Sequence, residues 1–181
     1  MKKLILVCFM MMPLMAFCQN EAFGFKLGAS YKEIYKILKN EDGRVPQVIH
    51  EEKGNIWLSN YSLDNTDYKI VWFLFKGKKG ESTLYAVRGG VECDKNKIDG
   101  LFIDDSEYFI SDKGYDDINK ERYENNGKRI NYYVKGNLLG TSSCTLEPRE
   151  NGKYLYITEI QLASNELIQK VKNAIMQYQS K

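Results

Sequence analysis

YKIVWFLFKG, residues 68–77, decides how this chain folds. Side chains alternate across a strand, so Ile70, Trp72 and Leu74 make one apolar face and Val71, Phe73 and Phe75 the other. A strand apolar on both sides belongs inside a sheet, with a neighbour on each edge. GKKG (77–80) is the turn into STLYAVRGGVE (82–92), a hairpin partner in which Gly89 and Gly90 read as a bulge or a strand end. NIWLSNY (55–61) supplies an aromatic strand upstream. TSSCTLE (141–147) and KYLYITEIQL (153–162), joined across PRENGK, add two more downstream. YKIVWFLFKG…STLYAVRG and KRINYYVKG…KYLYITEI share a strand, Lys-Gly turn, strand rhythm, which suggests two tandem helix-plus-hairpin halves.

Helices frame these strands. In GASYKEIYKILKNEDG (28–43), Ser30 and Glu33 form a capping box, each side chain reaching the other's free backbone N–H, and Ile34, Ile37 and Leu38 recur at helical spacing until Gly43 ends the run. SNELIQKVKNAIMQYQSK (164–181) is capped by Ser164 or Asn165 and carries Leu167, Val171, Ala174, Ile175 and Tyr178 along one side. Strands framed in this way predict an α+β fold: an antiparallel sheet covered mainly on one face by an N-terminal and a C-terminal helix. Between them, YDDINKERYENNG (115–127) reads in two ways. The preferred reading is a short helix stopping at Asn-Asn-Gly; the other is a strand closing on a type I′ turn at Asn126-Gly127.

The first residues, MKKLILVCFMMMPLMAFCQN (1–20), form a secretory leader: two lysines, an unbroken apolar run, then small residues. Leu4 to Phe17 is shorter than the roughly 20 residues that cross a membrane as a helix. Ala16 and Cys18 place cleavage before Gln19, so residues 1–18 are the signal peptide and 19–181 a single domain, exported to the periplasm or beyond. Lipidation of Cys18 requires a small residue before it, and Phe17 stands there. Without the leader, 24 basic residues face 24 acidic ones, and this neutral balance excludes nucleic acid as the main partner. The two remaining cysteines, Cys93 and Cys144, are expected to pair as a disulfide in an oxidising compartment.

LGASYKEIYKIL (27–38) resembles the opening helix of β-lactamase-inhibitor-like modules and of the related small lipoproteins of outer-membrane assembly. Gly28, Ser30, Glu33, Ile34, Ile37 and Leu38 occupy the positions of that pattern, and IWLSNY, with Trp57 and Tyr61, is similar to the aromatic strand that follows it. KNEDGRVP (39–46) departs from the family's usual Gly-x-Pro after the helix. The resemblance covers Phe23 to Arg88 and implies a secreted, non-enzymatic module that binds another protein through a concave sheet face.

Catalytic and metal-binding patterns are sparse. His50 is the only histidine, and among the charged residues of QVIHEEKGN it reads as a solvated side chain. No nucleophile elbow, phosphate loop or dinucleotide motif occurs, and no cofactor is expected. DKNKIDGLFIDD (94–105) places Asp94, Asn96 and Asp105 roughly as a calcium loop would, but Ile98 and Asp99 stand where an oxygen ligand and the turn glycine belong. A carboxylate-dependent glycan hydrolase using Asp104 and Asp116 is the alternative function. The favoured reading is a binding module. Thirteen tyrosines and two tryptophans load the strands, and a row formed by Trp57, Tyr61, Tyr133, Tyr154 and Tyr156 on an uncovered face would contact a protein or a glycan.

Overall fold

A computed structural model describes residues 20–39, 49–78, 81–119 and 123–180. The leader, with Cys18, and the junction holding Gly43 and Pro46 lie outside the described residues. The chain opens with a small hairpin, β1 (Glu21–Ala22) and β2 (Phe25–Lys26), followed by α1 (Tyr31–Lys39). Strands β3 (His50–Glu52), β4 (Asn55–Leu63), β5 (Thr66–Lys76) and β6 (Thr83–Cys93) come next. The second half begins with α2 (Ile98–Glu107), which runs into a π-helical turn at Tyr108–Asp112. It continues through β7 (Asp116–Asp117), β8 (Tyr123–Asn125), β9 (Lys128–Lys135), β10 (Leu138–Thr145), β11 (Tyr154–Leu162) and α3 (Asn165–Gln179).

The fold is α+β. One antiparallel nine-stranded sheet has the order β3-β4-β5-β6-β11-β10-β9-β7, with β8 also on β9. β5 is an inner strand, as its two apolar faces require. The proposed strand echo compares β5–β6 with β9 and β11, yet β10 separates the latter pair. What recurs is larger. Each half is a helix followed by a three-strand meander, α1 with β4–β6 and α2 with β9–β11, and the last strands of the two meanders pair.

The capping box at α1 forms as its sequence requires: Ser30 N donates to Glu33 Oε2 at 2.7 Å and Glu33 N to Ser30 Oγ at 3.3 Å. Such a cap stabilises a helix by about 1 kcal/mol. At α3 the Ser164 hydroxyl accepts from Leu167 N. Of the expected stripe of α3, Ile175 is buried and Val171 packs on the core, but Leu167 and Tyr178 are exposed, and the buried position at the start of the helix is Ile168. The segment expected as a short helix forms β7 and β8 instead. Asn126 and Gly127 both adopt positive φ (50° and 69°), which builds the type I′ turn into β9, and Tyr123 is buried against Tyr132 and Tyr178.

Gly89 and Gly90 are neither a bulge nor a strand end, for β6 runs on to Cys93. They are seats for aromatic rings on opposite faces. A Cβ at Gly89 would lie 2.4 Å from the Tyr68 ring, and one at Gly90 would lie 3.0 Å from Trp72. Gly140 does the same for Phe109. The Gly89 and Gly140 seats let α2 and its π turn sit close to one face of the sheet, with Phe109 stacked on Tyr133 at 4.4 Å. That covered face holds the main core, in which Ile34, Val71, Phe73, Phe109 and Tyr133 are fully buried. On the far face α3 packs at the β8–β9–β10 end, against Val134, Leu139 and Ala163, with Tyr178 on Tyr123.

Candidate functional site

The rest of the far face, over β4, β5, β6 and β11, lies away from the helix side chains that build the core clusters: Ile34 and Phe109 pack in the main core, Phe102 beside Cys93 and Cys144, and Ile168 against Val134, Leu139 and Ala163. Register aligns one row of residues across it. His50 lies opposite Trp57, Trp57 opposite Trp72, Trp72 opposite Arg88, Arg88 opposite Glu159, and Glu159 opposite Thr141. Residues opposite one another on neighbouring strands share a face, so strand pairing alone assembles this row from distant parts of the chain.

Each member is held. The His50 and Trp57 rings stack with centroids 3.7 Å apart and planes 6° from parallel. Trp72 lies against Gly90, whose missing side chain leaves the indole room to lean onto the sheet. Arg88 donates through Nε to Glu159, a residue only 7% exposed whose carboxylate needs that partner. Near the end of β6 Glu92 accepts from Lys69 and, at 3.1 Å, from Arg149; the Lys69 hydrogen bond holds its carboxyl below the usual range.

Between the two indoles is a slot of about 400 Å³ lined by Trp57, Trp72, Ile70, Leu74, Asn55, Glu52 and Lys53. Its lining combines four apolar side chains with three polar ones. Asn55 Oδ1 accepts from Phe75 N at 2.8 Å, which turns the amide NH₂ away from the backbone. A surface of this kind offers ring faces for stacking and a few fixed donors and acceptors.

Of the five residues expected on an exposed aromatic face, Trp57 alone lies on it. Tyr61, Tyr133 and Tyr156 are buried on the covered face, and Tyr154 is half-buried there beside Cys93 and Phe102. Alternation correctly groups Tyr133, Tyr154 and Tyr156, but the face they share is the one the helices cover. Trp57 and Tyr61 part company because Asn60 adopts φ 51° and breaks the alternation of β4 between them. Trp72, His50 and Arg88 went unselected. The signals that find them are the Gly-Gly pair, which seats a ring, and the register, which places Trp72 opposite Trp57.

No protein-family profile, curated protein or solved structure matches this chain.

The other expected groups fall elsewhere. Cys93 and Cys144 are free, buried thiols rather than a disulfide. They sit on β6 and β10 with β11 between, their side chains together in one small buried cluster with Phe102 and Tyr156. Burial, with Cys93 adjacent, pushes the Cys144 thiol up to about 12. The calcium candidates are dispersed: Asp94 pairs with Lys153 at 2.6 Å, Asn96 is in a 3₁₀ turn, and Asp105 belongs to α2. Among the described residues no three metal-ligating side chains gather. Asp104 is exposed on α2 and Asp116 on the short strand β7.

Proposed function

We propose that this chain is an exported, non-enzymatic binding module whose contact surface is the open part of the sheet's far face, centred on Trp57 and Trp72. One observation carries the reading. The two tryptophans of the sequence stand opposite each other on neighbouring strands, half-exposed, on a face that the described helices leave free. Exposed tryptophan beside a paired arginine is the composition of an energetic centre at a binding surface. The leader supports export to the periplasm or beyond, with β1 beginning at Glu21 just past the expected cut before Gln19. The resemblance of the first helix to β-lactamase-inhibitor-like modules points the same way.

Affinity capture from a cell-envelope extract tests this. Wild-type protein should retain a partner that Trp72→Ala loses by tenfold or more, while Ile103→Ala, a change at an exposed position on α2, should retain it fully. Equal capture by wild type and Trp72→Ala would remove this face from the account.

A further inference from the structure

We infer that the slot between Trp57 and Trp72 takes a neutral carbohydrate, an inference that rests on the binding-face reading above and names its ligand class. A pyranose ring presents C–H groups on its faces and hydroxyls around its rim. The slot is the complement of that shape. Two indoles with Ile70 and Leu74 beside them would meet the C–H faces, while Asn55, Glu52 and Lys53 supply donors and acceptors. Its volume of about 400 Å³ falls near the lower end of the range for small-ligand sites, which suits a short glycan segment rather than a folded domain.

Charge selects among glycans. Glu52 and Lys53 lie 3.7 Å apart and cancel, and Arg88 is committed to Glu159. Among the described residues the slot therefore holds no uncompensated cation for a sulfate, phosphate or uronate, and no uncompensated anion for an ammonium. Hydroxyls fit without leaving a charge unpaired. Rigidity adds to the fit: His50 braces one face of Trp57 and Gly90 beds Trp72, so little side-chain freedom remains to be lost on binding.

The two tryptophans make the site its own reporter, since no others occur in the chain. The exported full-length protein would be titrated with neutral gluco-, manno-, xylo- and chito-oligosaccharides and with a sulfated oligosaccharide, following tryptophan emission under excitation that spares tyrosine. The expected result is a saturable change with at least one neutral series, insensitive to added salt. It should weaken tenfold or more in Trp72→Ala, read from Trp57, and be partly kept in Trp72→Phe. A response to the sulfated probe alone, abolished by salt, would overturn the inference. So would silence from every neutral series. Silence together with Trp72-dependent capture from extract would discard the glycan and keep the face; silence with Trp72-independent capture would discard both.

Discussion

Asp105 shows at the scale of one residue what an acid does in this fold. Its Oδ2 accepts from Ser142 Oγ at 2.6 Å, Tyr156 Oη at 2.8 Å and Thr158 Oγ1 at 2.7 Å, which ties α2 to β10 and β11. Burial raises its carboxyl above the usual range, and those hydrogen bonds offset part of the rise. The folded state therefore holds the proton more tightly than the unfolded chain. Asp105's contribution is fully present below the ordinary carboxyl pKa of about 3.9 and is lost as pH rises through the raised folded value. Asp105→Asn is neutral at every pH and should flatten the fall in stability between acid and neutral solution. Asp105→Ala leaves the hydroxyls without their acceptor and should cost about 2–3 kcal/mol. Urea unfolding at a series of pH values measures both, and parallel pH profiles for wild type and Asp105→Asn would contradict this role. None of this was legible beforehand. The sequence places Asp105 in an acidic run, and only the packing of α2 brings three hydroxyls to it.

At the scale of elements, local chemistry was read well and orientation less so. The capping box, the α3 cap and the strands around residues 55–92 and 138–162 follow from side-chain hydrogen bonding and from β-branched and aromatic content, both local properties. The 115–127 segment turned on a weak helical period against a strong Asn-Gly turn, and the turn prevailed because pairing with β9 satisfies the backbone and buries Tyr123. The stripe of α3 differs at its first position, Ile168 in place of Leu167, since flanking apolar residues at 167 and 168 are equivalent until the sheet is in place. That difference is measurable. Ile168→Ala should lower stability by about 2–4 kcal/mol, as a buried large-to-small change does, whereas Leu167→Ala, at a position 37% exposed, should cost well under 1 kcal/mol. Chemical denaturation of the two variants decides between the stripes, and a larger loss for Leu167→Ala would reverse the assignment.

Over the whole molecule, strand alternation says which residues share a face, and only the docking of helices says which face is hidden. Sequence reasoning therefore grouped Tyr133, Tyr154 and Tyr156 correctly and placed the group on the wrong side. The row from His50 to Thr141 is non-local in the same sense: its members come from strands far apart in sequence and are aligned by register. The α+β class needed none of this, since strand and helix content determine it. The candidate site needed all of it. Gly90, which beds Trp72 on the far face, and Gly89, which beds Tyr68 on the covered one, are adjacent in sequence and face opposite environments.

Hydroxyl-radical footprinting of the exported protein, alone and within a cell-envelope extract, tests the central claim in one experiment. The account predicts that Trp57 and Trp72 are oxidised in the isolated protein and protected in the extract, while Tyr133 and Tyr156 stay unlabelled in both. Equal labelling of the tryptophans in the two conditions, or labelling of the two tyrosines in the isolated protein, would contradict it.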